Sequence, residues 1–155
     1  MTSRTAPPAG GQGGLEDPPG QATDGKLRAL GPEECFGLLE SGGVGRVGLM
    51  SADGIVMLPV NYAVAAKTIV FRTAPDTLLA AHGNGQVSFE ADRIDETSRA
   101  GWSVLVQGHA RKVEGEDEVR RLEHDTGLEP WADGARDVWV RITPGIISGR
   151  RVQQA

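Results

Sequence analysis

Residues 44–64 read VGRVGLMSADGIVMLPVNYAV, and this stretch decides the fold class. Two runs rich in Val, Leu, Ile and Met flank SADG, and Asp-Gly is a dipeptide that commonly turns one strand back along another. The pattern predicts an antiparallel β-hairpin. Pro59 lies inside the second run, where it cannot donate to a sheet ladder. The backbone around it is therefore expected to face an edge, a bulge or a ligand.

Five further strand-like segments follow the hairpin, and three short helix-like segments lie between the strands. Gly108 sits within one of the longer runs and predicts a bulge or bend. About seven strands with mostly short connections predict a mainly β protein, an antiparallel sheet closed into a small barrel with helices at its ends. The five segments are TIVF, QVSFEADRI, WSVLVQGHARKV, DVWVRIT and GIISGRRV; the helical ones are GPEECFGLLESGG, the short apolar run after Thr77, and EDEVRRLEHDTG.

Length and composition bound the class of protein. The 155 residues fit one domain. Residues 1–26 are dominated by Gly, Pro and small polar side chains and predict a disordered tail, which leaves residues 27–155 as the domain. The net charge of -5 argues against nucleic-acid binding. No apolar run suits a membrane span, no signal peptide is evident, and the single cysteine excludes an internal disulfide, so a cytoplasmic location is expected.

Catalytic and metal motifs are missing from the sequence. It has no Gly-x-Ser-x-Gly elbow and no Gly-x-Gly-x-x-Gly loop that opens a helix after a strand. His82, His109 and His124 are far apart, and no His or Cys pair has the spacing of metal ligands. No metal site is expected, and no side chain is identified as a general acid or base.

The stretch VFRTAPDTLLAAH, Val70 to His82, has two interpretations. As an anion site, Arg72 offers a bidentate fork, Thr73 and Thr77 offer hydroxyls, and the following helix offers free backbone N–H groups. As a helix cap, Thr73 and Asp76 form a Thr-x-x-Asp capping box. The two interpretations are compatible in part, but Asp76 adds negative charge where an anion would bind.

Two strands carry aromatic side chains that need an explanation. Trp102, Ser103 and Gln107 lie along one strand and suit a planar heteroaromatic ligand, although an ordinary core Trp is the alternative. In DVWVRIT, Trp139 lies on the face opposite Val138, Val140 and Ile142. A large aromatic on a polar strand face suggests an interface or a ligand contact; the alternative is packing under a helix or the tail.

In order and spacing, these segments resemble the pyridoxamine 5'-phosphate oxidase-like family of flavin-binding proteins, above all its small actinobacterial and nitroimidazole-resistance-like members. The resemblance covers roughly residues 31–152 and implies an antiparallel split β-barrel with a few short peripheral helices. The motifs that carry it are GVGRVGLMSADG, MLPVNYAV, IVFRTAPDTLLAA, VSFEADRID, GWSVLVQGHARKV and WVRITPGIISGRRV.

The resemblance implies a flavin-dependent oxidoreductase, a homodimer with FMN at the subunit interface. A deazaflavin coenzyme is the alternative cofactor, and a flavin- or small-ligand-binding module without turnover is the alternative function. Carried over by position, the implied phosphate ligands are Arg72, Thr73 and Thr77. The isoalloxazine is implied to lie against two strands, with contacts from Pro59, Val60, Asn61 and Tyr62 on one and from Trp102, Ser103 and Val104 on the other. Gln107 is implied to bond the flavin or its ribityl chain, and Arg150 is a looser match across the dimer.

The chain departs from the family pattern at the start of the short helix. Relatives often carry a Gly, a small hydroxyl residue and a Lys or Arg where this chain has Asp76, Thr77 and Leu78. The helix start gains a carboxylate and loses a cation. Three outcomes are open: weak FMN binding, binding through Arg72 and backbone N–H groups, or a different ligand.

Overall fold

The computed structural model describes residues 25–81 and 84–154. The predicted tail lies outside the described residues, except that Gly25 and Lys26 already belong to the first strand. His82 also lies outside them. The described elements are seven strands and three helices: β1 Gly25–Leu30, α1 Pro32–Leu39, β2 Gly43–Ser51, β3 Gly54–Ala65, β4 Thr68–Thr73, α2 Leu78–Ala81, β5 Gly85–Asp95, β6 Ala100–Val113, α3 Glu116–Thr126 and β7 Val138–Gln154.

The strands form one antiparallel sheet that closes on itself. The order is β1-β7-β4-β3-β2-β5-β6, and an additional β7–β6 pairing completes the ring. The ring is incomplete beside the first part of β3, because β3 pairs with β4 only from Tyr62 to Ala65. The predicted split β-barrel is therefore confirmed. None of the helices in the described ranges is long and apolar enough to cross a membrane.

The hairpin at residues 43–65 has the predicted form. Strands β2 and β3 pair from Ser51↔Gly54 at the turn to Gly43↔Tyr62 at the far end. Pro59 pairs with Arg46 on one side, and its other side is the open edge of β3. Because proline has no N–H to donate, an edge is where it disturbs the sheet least.

The prediction of two closing strands is wrong, since residues 138–154 form the single strand β7. Pro144 stays paired with Gly108, and the register shifts between Gln107 and Gly108, where Gly145 of β7 is the extra, unpaired residue. A Cβ at Gly108 would collide with the carbonyl oxygen of Thr143, so only glycine allows this close approach. The predicted bulge at Gly108 is confirmed. The seventh strand is instead β1, which has little strand-like sequence and is held by pairing with β7.

The barrel interior is apolar, and a second, smaller cluster lies under α3. Trp139 is 1% exposed and packs there with Val70, Val113 and Leu122. The expectation of an interface or ligand contact for Trp139 is therefore wrong. Helix α3 covers the polar-looking face of β7, and burial of an aromatic ring there removes a large apolar area from water. The main core includes Leu39, Phe71, Phe89, Val104, Val106 and Ile142.

Candidate functional site

The first part of the candidate site is a cavity of about 150 Å³ between β3, β4 and residues 128–137. We call it the arginine cavity and call residues 128–137 the anchored loop. Two arginines, a threonine and an asparagine are among its lining residues, and no aspartate or glutamate of the described ranges is. The residues that define the arginine cavity are Pro59, Val60, Asn61, Arg72, Thr73 and Arg136.

Arg72 holds the anchored loop against the barrel. Its Nε donates to the carbonyl oxygen of Arg136 at 3.0 Å, and its Nη1 donates to that of Leu128 at 3.2 Å. The guanidinium also lies over the ring of Trp139, 5.2 Å from the centroid, in a cation–π contact. Its Nη2 has no acceptor within the described residues. Arg72 is thus both a structural anchor and a cation at the cavity wall.

The two threonines predicted as phosphate ligands are bonded to each other. Thr73 Oγ1 and Thr77 Oγ1 are 2.6 Å apart, and Thr77 Oγ1 donates to the carbonyl oxygen of Ala74 at 2.8 Å. Because a hydroxyl has one proton, Thr73 must be the donor to Thr77. Thr73 is 2% exposed and lines the arginine cavity, whereas Thr77 does not. Neither hydroxyl has a proton left for an anion in this arrangement.

The capping interpretation holds at a different residue from the one expected. The backbone N–H of Ala80 donates to Thr77 Oγ1 at 3.2 Å, and that of Ala81 donates to the Thr77 carbonyl at 3.0 Å. Thr77 therefore caps α2, and the capping box of Thr73 and Asp76 is wrong. Asp76 is exposed and is not among the residues that line the arginine cavity.

The anchored loop brings in two residues that the sequence reasoning missed. The N–H of Trp131 donates to Asn61 Oδ1 at 2.9 Å, so Asn61 of β3 holds one end of the loop. Trp131 is 77% exposed, and Arg136 lines the arginine cavity. An available signal was the lone Trp and Arg in the Pro- and Gly-containing segment LEPWADGARD, because functional residues often lie on loops held by a rigid scaffold.

The second part of the candidate site is a groove of about 530 Å³ on the outside of the sheet, which we call the sheet groove. It gathers three of the residues that the resemblance implies, Trp102, Ser103 and Arg150. Ser103 and Arg150 lie side by side on the outward face, because they pair across β6 and β7. Trp102 alternates with Ser103 along β6 and packs in part against the main core. Three aliphatic side chains complete its definition: Leu27, Ile94 and Val152.

Two implied contact residues have buried side chains. Val104 is 0% exposed in the main core. Tyr62 is 2% exposed and packs edge-on against Phe89, with 4.9 Å between ring centroids. Burial raises the pKa of Tyr62 to about 12. A ligand on the outer surface would reach mainly the backbone of these two residues.

The two parts of the site lie on different strands of one outward face. In the order of strands across the sheet, β3 is followed by β2, β5 and β6. The arginine cavity at β3 and the sheet groove at β6 are therefore three strands apart. At the usual spacing between strands this is about 14 Å along the curved sheet. Gln107 lies farther along the same face, in the row Met57, Gly48, Ser88, Gln107. One protomer therefore does not bring all the implied residues together.

A charged cluster occupies the sheet between the two parts. Arg46 of β2 lies 3.1 Å from Glu90 and 3.6 Å from Asp92 of β5. Burial, with a smaller contribution from Asp92, raises the pKa of Glu90 above its ordinary range. Arg46 opposes this shift. In the described ranges, no group of three or more His, Cys, Asp or Glu residues is arranged to hold a metal ion.

The outward face also carries most of the exposed apolar side chains. Of eight large hydrophobic residues that are exposed within the described ranges, seven point outward from the sheet and one, Trp131, lies on the anchored loop. Their alternation with buried residues along each strand puts them on one face. The seven are Leu27, Met50, Ile55, Met57, Ile94, Leu105 and Ile146.

Comparison with known proteins connects this geometry to one family. The family model described as pyridoxamine 5'-phosphate oxidase matches residues 31–151. The FAD-binding protein of Mycobacterium smegmatis is 35% identical, with a TM-score of 0.68 over 81% of this chain and 98% of that one. A conserved protein of unknown function from Corynebacterium diphtheriae is 31% identical, with a TM-score of 0.67 over 80% of this chain and 96% of that one. An uncharacterized protein of Mycobacterium tuberculosis is 33% identical over 129 residues, which are 79% of this chain and 84% of that protein.

Proposed function

Because the chain belongs to the pyridoxamine 5'-phosphate oxidase family, we propose that it is a homodimeric flavin-dependent oxidoreductase that binds FMN between its subunits. The proposal of a flavin is supported by the FAD-binding relative from Mycobacterium smegmatis, which matches nearly its whole length. FMN is the specific cofactor proposed, because the arginine cavity is small and suits a single phosphate group.

The observation that carries the proposal is the outward face of the sheet. It exposes apolar side chains, and it has the arginine cavity at one side and the sheet groove at the other. Ile55, Met57 and Ile146 are exposed on this face, and a monomer leaves them in water. In a two-fold dimer, the same patch of each subunit packs against its copy. Such packing sets the arginine cavity of one subunit opposite the sheet groove of the other, so that each site is completed by both.

The residues present fit the phosphate end of the cofactor. Arg72 is a cation with one terminal nitrogen without a protein acceptor in the described ranges, and no carboxylate among the described residues lines the cavity. A cation without competing anions is the requirement for holding a phosphate. The open edge of β3 at Pro59 lies beside it, and the isoalloxazine of the same FMN is placed there in this proposal.

The chain would position the flavin and exclude water around it. Bound flavin supplies the chemistry, since it transfers a hydride or electrons. Trp102, Ser103 and Arg150 line the groove of the partner, where Ser103 and Arg150 offer polar contacts. No general acid or base of this chain is assigned to the reaction, which fits chemistry carried by the cofactor.

Purified protein titrated with FMN, FAD and a deazaflavin coenzyme tests this proposal. Tight binding of FMN, followed by the visible flavin spectrum, and sedimentation as a dimer are the expected results. Tighter binding of the deazaflavin coenzyme would make it the cofactor in place of FMN. Failure of all three compounds to bind would reject a flavin site. Turnover of a reduced nicotinamide with an artificial electron acceptor separates an oxidoreductase from a binding module.

A further inference from the structure

Arg136 lies at the wall of the arginine cavity beside Arg72, although 64 residues separate the two in sequence. Arg136 is half-buried, and its Nε lies 3.4 Å from the carbonyl oxygen of Ala132 in the same loop. Its terminal nitrogens have no protein acceptor in the described ranges. The bond from Nε restricts the position of the guanidinium group. It leaves both terminal nitrogens available to bind a ligand.

The charged residues that line the cavity are both cations, and the carboxylates of the anchored loop, Glu129, Asp133 and Asp137, are exposed and outside the lining. Arg72 and Arg136 both line a partly enclosed space whose other walls include Leu79, Pro130 and Ala132. Neighbouring like charges repel more strongly when apolar surroundings displace water. Since no carboxylate from the described residues lines the cavity, an anion between the two cations would relieve that repulsion.

The start of α2 does not supply a second cation. Asp76 is exposed and lies outside the lining, and the Thr77 hydroxyl is bonded to the Ala74 carbonyl. Thr73 uses its proton on Thr77. After these are set aside, the charged donors that line the cavity within the described chain are Arg72 and Arg136.

We infer that Arg136 is the second phosphate-binding cation of this protein, delivered by the anchored loop. The ligand class is a phosphate monoester, and the inference rests on the proposed function in naming FMN as its source. The loop is held in place by the bonds from Arg72 to its main chain, so the first cation positions the second.

The test compares FMN with riboflavin, which has the same ring system but no phosphate, in the wild-type protein and in Arg136→Met. The inference predicts that Arg136→Met weakens FMN binding roughly 10-fold or more, as expected for loss of a charge-assisted pair, and leaves riboflavin binding unchanged. Arg136→Lys should recover part of the FMN affinity. The matched control is Arg120→Met, which removes the same charge from an exposed position on α3.

Each outcome decides a different point. If the wild-type protein binds neither flavin, the proposed function fails, and the inference that names FMN as the ligand of Arg136 fails with it. If it binds FMN and Arg136→Met binds equally well, the inference alone is overturned. If Arg136→Met loses FMN and riboflavin binding equally, Arg136 only shapes the loop. If Arg136→Met and Arg120→Met lose the same amount of FMN affinity, the loss comes from the change in net charge. Both of those results also overturn it.

Discussion

The Nε of Arg72 lies 3.0 Å from the carbonyl oxygen of Arg136, so a strand residue holds the main chain of a loop whose side chain lines the same cavity. A second bond reaches Leu128 at the other end of that loop. The guanidinium therefore joins two functions, anchoring and charge. Substitutions at the two arginines should for this reason have different consequences.

Replacement of Arg72 should release the anchored loop as well as remove a cation. We expect Arg72→Ala to lower FMN affinity by more than Arg136→Met does, because it disturbs both charges. Trypsin should also cleave faster after Arg136 in Arg72→Ala, since the bonds to the loop main chain are gone. Digestion followed by mass spectrometry measures this. Unchanged cleavage after Arg136 would show that other contacts hold the loop, and Arg120→Ala is the control.

Thr77 should matter for stability more than for ligand binding. Thr77→Val removes the hydroxyl that accepts from the N–H of Ala80, and such caps contribute about 1 kcal/mol. For a chain of this size the expected fall in Tm is about 2–4 °C. FMN affinity should change little, because Thr77 does not line the arginine cavity. A large loss of affinity with unchanged Tm would place Thr77 at the phosphate instead.

A charge on the outward face should separate the proposed dimer. Met57 is 62% exposed and lies in a row of small and polar neighbours, so Met57→Glu costs the folded protomer little. In the dimer the carboxylate would be desolvated, and sedimentation should show a monomer with weakened FMN binding. Gly37→Glu adds the same charge on α1, where nothing lies within 4 Å of a new Cβ. A dimeric Met57→Glu would place the interface on another surface.

The ionisation of Tyr62 gives a clean pH experiment, because the chain contains a single tyrosine. Burial raises its pKa from 10.0 to about 12, so near-ultraviolet phenolate absorbance should appear only toward that higher pH while the protein is folded. Between these values the unfolded chain loses the proton and the folded chain keeps it. Stability from this group is therefore complete below pH 10 and falls as pH rises toward 12. Titration in the folded protein near pH 10 would contradict the buried ring.

The sequence predicts well what depends on neighbouring residues. The Asp-Gly turn, the strands beside it and the bulge at Gly108 were identified because turn residues and alternating apolar side chains act over a few positions. Strand β1 was missed because its ordering depends on β7, more than a hundred residues away in the chain. The local signal in GKLRAL is weak, and pairing overrides it.

The candidate site was less accessible to sequence reasoning than the fold. Arg72 was identified from its own strand, but the contact with residues 128–137 could not be inferred from spacing, since a loop has no periodicity to locate it. The Thr-x-x-Asp motif predicts the cap at Thr73, but the hydroxyl that accepts from the helix N–H of Ala80 is that of Thr77. Hydrogen-bond competition of this kind is decided by geometry.

Strand β7 also bears on how the protein folds. It pairs with β1, β4 and β6, and all three precede it in the chain. The early hairpin can form from local contacts, but the ring has no closing member until β7 is in place. Contacts over such long separations in sequence slow folding, because the entropy of closing the chain is lost before they form. The rate-limiting step is thus expected to be the docking of this last strand, and substitutions in it should slow folding more than those in the hairpin.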